Sequence, residues 1–294
     1  RMQSIWLEVA LNGPWGQSRQ PLMPIRVQDI IDQGIACAQE GAGIIHVHAY
    51  DEQTGQQKDD WQIYARIIEG IRHSCDVLVY PTIPLAGSDF AVQHAATRFA
   101  HVHELAKRGL IEMTVLDPGS VNFIRYDQLH ALSQGFIYMN PLTDIEQGMA
   151  IAHHYQLVPG YAIYEPGFTR LGAALARHVG LKTKPIYRFM FSDEFAWGYP
   201  PTIQGLEAHL AQYALQDCAA YWMIAGLGVD IRPLIAAAVQ RGGHVRVGLE
   251  DAPWGTSIDN IGWTRQACAL IRQHDAELAT PSAIRQALRQ GLTL

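Results

Sequence analysis

Two strings, far apart in the chain, hold residues whose types and spacing suggest chemistry. Residues 43–51 read GIIHVHAYD, and residues 244–251 read HVRVGLED. Side chains alternate across an extended strand, so His46 and His48 share one face while Ile45 and Val47 take the other. By the same alternation His244, Arg246, Gly248 and Glu250 are expected on one face. Two neutral imidazoles and a carboxylate form the ligand set of a catalytic zinc that keeps one position open. Imidazole suits zinc, iron or nickel better than the hard cations that prefer oxygen. His46, His48 and Glu250 are therefore the expected ligands, provided the two strings meet. Arg246 and Asp251 form a second element. An inward arginine needs anionic partners, because a buried unpaired charge is costly. Asp251 is expected to be a base held by Arg246 beside the metal, or else half of a purely structural ion pair.

The elements that must bring these residues together follow from the apolar pattern. Nearly continuous apolar runs mark strands at 4–11, 43–49, 77–82, 110–116, 161–164, 186–191, 221–224 and 244–249. Helical periodicity separates them at 27–40, 60–71, 88–108, 144–155, 169–179, 202–215, 229–241 and 259–273. Residues 136–140 add a strand or a stiff loop. Strict alternation with eight strands predicts an α/β chain folded as a single-domain (β/α)8 TIM barrel over residues 1–294. An open doubly wound sheet would call for a glycine-rich nucleotide loop after the first strand, and Asn12-Gly13-Pro14-Trp15-Gly16 does not provide one. In a closed barrel the second and eighth strands both flank the first. His46, His48 and Glu250 can then converge at the C-terminal mouth, where active sites of this fold lie.

Composition narrows the function classes. With 22 basic and 28 acidic residues the net charge is −6, and no basic run argues for nucleic acid. No apolar stretch is long enough to suggest a membrane span. Cys37, Cys75, Cys218 and Cys268 lack metal-ligand spacing and are expected as buried thiols, which points to a reducing, cytoplasmic setting. Glu8 shares a face with Ala10 and Asn12, so it is a candidate interior partner for Arg246.

A set of longer strings carries a resemblance. ALNG (10–13), EGAGIIHVH (40–48), LDPGSVNF (116–123), IYEPGF (163–168), GYPPT (198–202) and GGHVRVGLED (242–251) occur in order, with Asn260 and ATPSA (279–283) downstream. Over nearly its whole length the chain resembles the β-keto acid cleavage enzymes, of the 3-keto-5-aminohexanoate cleavage type. The resemblance implies a zinc (β/α)8 barrel that condenses a β-keto acid with an acyl-CoA, usually acetyl-CoA. The products would be acetoacetate and a new acyl-CoA. It implies His46, His48 and Glu250 as zinc ligands, Asp251 as the base and Arg246 as its partner. It also implies hydroxyl donors at Thr82 and Thr114, and a homo-oligomer, often a tetramer. Two departures stand out. Tyr50 replaces the arginine of the family's HxHxRD string. Gly160 and Ala162 stand where many members carry acids that read the substrate's ammonium group. A neutral, apolar or differently charged tail is therefore expected instead of the amino-bearing one.

Gly226-Leu227-Gly228 follows the seventh strand, where barrels often bind phosphate; it is either a receptor for the CoA pyrophosphate or a simple turn. Trp15, Trp197, Tyr199 and Trp254 are expected on mouth loops, lining the substrate or making subunit contacts. Two other readings stay open: a zinc hydrolase on the same barrel, and a non-catalytic metal- or CoA-binding protein. Dependence on acetyl-CoA separates the first from the cleavage enzyme, and turnover separates the second.

Overall fold

The computed structural model describes residues 2–86, 94–216 and 220–290. One sheet contains eight parallel strands: β1 (Leu7–Ala10), β2 (Ile44–Val47), β3 (Leu78–Pro81), β4 (Met113–Val115), β5 (Val158–Ile163), β6 (Ile186–Phe191), β7 (Tyr221–Gly226) and β8 (His244–Val247). Their order is β3-β2-β1-β8-β7-β6-β5-β4. The sheet curls until its edges, β3 and β4, touch. No ladder joins that seam among the described residues, so the barrel is nearly closed.

Helices alternate with the strands. Val27–Glu40, Trp61–Ser74, Leu142–Tyr155, Pro166–Val179, Ile203–Ala214, Arg232–Gln240 and Asn260–Gln273 cover the outside. Asp60, Thr202 and Asp259 cap their helices by accepting from Gln62 N, Gly205 N and Gly262 N. The helix expected over 88–108 starts outside the described residues; within them lie two pieces, Ala95–Arg98 and Ala100–Lys107. Ile45, Val47, Phe189, Val245 and Val247 are essentially fully buried and turn their apolar faces to this helical layer. No helix among the described residues is long and apolar enough to cross a membrane. Cys37, Cys75 and Cys268 are unpaired thiols, and Cys218 lies outside the described residues.

Several strand bounds differ from the sequence pattern. The first run breaks at Trp6, whose amide donates to His244 Nδ1 at 2.9 Å while its ring stacks on that imidazole. The preceding Gln3–Ile5 leaves the barrel and pairs with Ala276–Leu278. The fourth strand is shorter than 110–116, and the fifth starts earlier than 161, at Val158. The expected strand near 136 exists: Phe136–Tyr138 pairs antiparallel with Val121–Phe123. That hairpin follows β4. Its Phe123 packs against Tyr164, Phe195 and Trp197, which places it over the β5 and β6 side of the barrel mouth.

The most consequential difference lies at β8. The strand ends at Val247, so alternation does not extend to Glu250. Gly248 has φ +132°, and a Cβ there would lie 2.1 Å from Ala10 O. The chain turns at once: Asp251 N and Ala252 N both donate to Gly248 O. Glu250 reaches the mouth through this turn.

Candidate metal centre and active site

The loop after β1 holds both halves of the site. Asn12 is fully buried and works as a clip. Its Oδ1 accepts from His48 N and Gly13 N, and its Nδ2 donates to His48 O and Pro24 O. The same loop grips the other string. Trp15 Nε1 donates to Glu250 O at 2.7 Å, and Glu250 N donates to Ala10 O at 3.2 Å. Gly13, at φ +81°, lies so close that a Cβ would sit 2.7 Å from Glu250 Cγ.

So placed, His46 and His48 meet Glu250. Candidate ligand atoms of the three residues lie within 4.8 Å of one another, and all three are buried. Glu250 Oε1 is 3.5 Å from His46 Nε2 and 2.9 Å from His48 Nε2. Yet His48 Nε2 and Glu250 Oε1 make no hydrogen bond. Their outer atoms explain why. His46 Nδ1 faces the Tyr80 carbonyl at 3.2 Å, and His48 Nδ1 faces Gln57 Oε1 at 2.8 Å. Both partners are acceptors, so each Nδ1 carries the proton and each Nε2 presents a lone pair. Gln57 is itself held by donation to Asp59. Lone pairs and a carboxylate oxygen converging in a buried pocket fit a cation, and imidazoles oriented through their outer nitrogens are the usual arrangement around a metal.

Burial disfavours charge on both rings. It holds His46 well below its ordinary pKa, while at His48 the adjacent Glu250 overrides burial and raises the pKa. Burial opposes ionisation of Glu250 as well, but His48, His46 and Arg246 outweigh it and hold that carboxyl well below the usual range.

Arg246 sits beneath this trio as the hub of an ionic cluster. Its Nε donates to Asp251 Oδ2 at 2.8 Å and its Nη2 to Asp251 Oδ1 at 2.7 Å. It also donates to Glu8 Oε2 and Glu250 Oε2, both at 3.3 Å. Glu8 takes a further hydrogen bond from the Tyr80 hydroxyl. Asp251 is thus held in one orientation, beside a candidate ligand. Burial, opposed by Arg246, pushes its carboxyl up to about 6. A carboxylate in that range can both accept and return a proton near neutral pH.

Of the remaining expected residues, Thr82 lies just beyond β3 and Thr114 on β4, both buried. Among the described residues each hydroxyl makes only a long bond to the next residue's carbonyl, at 3.5 and 3.3 Å. Gly226 ends β7 and Gly228 turns at φ +65°; both are buried, and Val229 N beyond them donates to Asp251 O. Trp15 and Trp254 pack edge to face, and Trp197 is buried in the aromatic cluster under the hairpin.

The family model described as beta-keto acid cleavage enzyme matches residues 4–289. The chain belongs to the beta-keto acid cleavage enzymes. It is 25% identical to a 3,5-dioxohexanoate:acetyl-CoA acetone transferase of Paraburkholderia graminis, over 92% of this chain and 91% of that one. It is 24% identical to a 3-keto-5-aminohexanoate cleavage enzyme of Fusobacterium nucleatum subsp. nucleatum, over 92% of each. The solved binary complex of ObcA with oxaloacetate shares the fold: TM-score 0.68 at 13% identity, covering 94% of this chain and 69% of that one.

Within this family member, Tyr50 has a plain structural task. It is buried, and its hydroxyl donates to Gly13 O at 2.5 Å, fastening the turn that abuts Glu250. Sequence reasoning overlooked Asn12, Gln57 and Arg188. Asn12 stood within ALNG, directly after a strand. Gln57 carried no signal, because the loop from Tyr50 back to Gln57 is a matter of three-dimensional path. Arg188 carried a clear one: an arginine within the apolar strand IYRFMF invites the same question as Arg246 in HVRV.

Proposed function

We propose that this enzyme condenses a β-keto acid with acetyl-CoA and releases acetoacetate and a new acyl-CoA by a retro-Claisen route. The observation that carries the reading is the convergence of His46, His48 and Glu250 with the Arg246–Asp251 pair at one barrel mouth. A zinc ion held by His46, His48 and Glu250 would act as a Lewis acid toward the ketone and carboxylate oxygens of the substrate.

The chain's own groups supply the rest. Asp251 takes a proton from C2, between the ketone and the carboxylate. The resulting carbanion attacks the thioester carbon of acetyl-CoA; a carbon–carbon bond forms and the CoA thiolate leaves. The thiolate then adds to the original ketone carbon, C3. Cleavage of the C2–C3 bond gives the new acyl-CoA and the acetoacetate carbanion, which recovers the proton from Asp251. Arg246 orients Asp251 throughout. Hydroxyls at Thr82 and Thr114 are placed in this reading to donate to the oxyanions that develop at the two carbonyls. Gly226 and Gly228 would form the turn nearest the CoA pyrophosphate. The same reading has the enzyme as a homo-oligomer in the cytoplasm, supported by the family resemblance and by unpaired thiols.

The test is an assay of purified enzyme against a panel of β-keto acids with acetyl-CoA, with bound metal quantified in the same sample. Acetoacetate and a new acyl-CoA should appear together, in equal amounts. His48→Ala should lose metal and turnover together. Hydrolysis that proceeds without acetyl-CoA would replace this reading with the hydrolase.

A further inference from the structure

The barrel interior contains a second buried arginine that the mechanism above does not use. Arg188 lies on β6, where outward Tyr187 and Phe189 pack against Tyr213 and His209 of the helix Ile203–Ala214. Alternation turns Arg188 inward. It is only 5% exposed. Among the described residues it forms no ion pair, and Arg188 Nε has no hydrogen-bond partner. The interior acids around it are committed elsewhere. Glu8 is held by Arg246 and Tyr80. Asp117 accepts from the Tyr138 hydroxyl and from Ala162 N. Tyr80, Glu8 and Asp117 offset the charge of Arg188 from a distance, but none takes a hydrogen bond from it, and a guanidinium has five donors in a planar fork to satisfy.

Only small residues stand beside it on the next strand. On the neighbouring β5, Gly160 and Ala162 face the same interior. A Cβ on Gly160 would stand 3.5 Å from Arg188 Nη1, an ordinary contact. A longer side chain there would fill the space beside the guanidinium. In the strand order, β6 lies four positions from β2, on the opposite wall of the eight-stranded barrel from His46 and His48. In the cleavage reading, a β-keto acid anchored by its ketone and carboxylate at the three-ligand site would turn its remaining substituent toward that wall.

We infer that Arg188 binds an anionic group at the far end of the substrate, so that the preferred β-keto acid is a dianion carrying a second carboxylate. The inference rests on the cleavage reading above and names the substrate class of that same site. It also gives Gly160 a purpose: an acid at this position would pair with Arg188 and occupy the place of the tail carboxylate. A charge-assisted, forked contact of this kind is the sort that arginine makes best.

The experiment compares 3-oxohexanedioate with its C6 amide, with acetyl-CoA as co-substrate, in the wild type, Arg188→Met and Gly160→Glu. The wild type should favour the dianion in kcat/KM by about 10- to 100-fold, the range for one hydrogen-bonded charge. The gain should lie mainly in KM, because a tail contact is made equally before and during reaction. Arg188→Met should bring the ratio near one, chiefly by removing the dianion's advantage in KM. Gly160→Glu, whose added Cβ meets only ordinary contacts, should reverse the preference by pairing with Arg188 internally. A wild-type ratio near one, or a ratio unchanged in both variants, overturns the inference while acetyl-CoA-dependent turnover keeps the cleavage reading intact. If neither keto acid is turned over, the cleavage reading fails and calorimetry with inert hexanedioate and hexanoate decides the Arg188 question. Selective hexanedioate binding that Arg188→Met weakens sustains the dianion site, and equal binding of the two acids removes it.

Discussion

Gly248→Ala tests whether Glu250 is placed by the turn after β8. The perturbation is one methyl group, and its consequences follow from two features of the turn. The φ of +132° is one that L side chains rarely adopt, at a cost of about 1–3 kcal/mol. The new Cβ would stand 2.1 Å from Ala10 O, so that oxygen must retreat by roughly 1 Å to reach an ordinary contact. Ala10 O is also the acceptor for Glu250 N, and losing that bond adds about 1 kcal/mol. The total is about 2–4 kcal/mol, which for a chain of this size lowers Tm by roughly 3–7 °C. The displacement matters more than the energy. Metal–ligand distances tolerate only about 0.2 Å, so a Glu250 moved with Ala10 no longer completes the ligand set. Thermal unfolding with and without added zinc, and titration against a competing chelator, read the two effects separately. Gly255→Ala is the control, because Gly255 also has positive φ, at +78°, but nothing stands within 4 Å of its missing Cβ. A Gly248→Ala protein that melts and binds zinc like the wild type would refute the account of how Glu250 is placed.

Other perturbations separate the remaining parts. Asp251→Asn should keep bound metal and lower kcat by about 10²- to 10⁴-fold, the usual contribution of a general base; full activity removes Asp251 from that role. Gln57→Leu, which frees His48 Nδ1 without touching the ligand atoms, should weaken zinc binding about 10- to 100-fold in the chelator titration and leave Tm of the metal-free protein nearly unchanged. Among the described residues His209 has no hydrogen-bond partner at either ring nitrogen; it stacks on Phe189, with burial pushing its pKa from 6.5 down to about 4. The unfolded chain therefore binds the extra proton, so this contribution is whole above pH 6.5 and is lost as pH falls toward about 4, on the order of 3 kcal/mol in all. His209→Phe should then melt increasingly above the wild type as the buffer is acidified, and parallel pH profiles would contradict the assignment.

What the sequence made legible followed local periodicity. Eight apolar runs with helices between them implied the barrel, and alternation put His46 with His48 and turned Arg246 inward. Alternation failed where a glycine ended the strand. Glu250 arrived at the expected place by a different route, because the close approach of Gly248 to Ala10 is a contact between β8 and β1. Asn12, Gln57 and Trp15 act on residues distant in the chain, through loop paths that no periodicity records. Trp6 split the first run because its amide found His244 at the other end of the sequence. Arg188 was legible in kind, as an arginine in an apolar strand, but its lack of an ion-pair partner among the described residues is a fact of packing alone.

The ligand set joins β2, early in the chain, to the turn after β8, near its end. A metal held there closes a loop longer than most disulfides enclose. A cross-link over about 100 residues already removes roughly 5 kcal/mol of freedom from the unfolded chain. The first strand and its loop stand between the two strings and touch both, so the site exists only when the last strand has docked against the first. During synthesis, then, the histidines emerge long before their third ligand. The complete binding pocket requires β8 beside β1, and metal uptake becomes a readout of whether these early and late strands have paired.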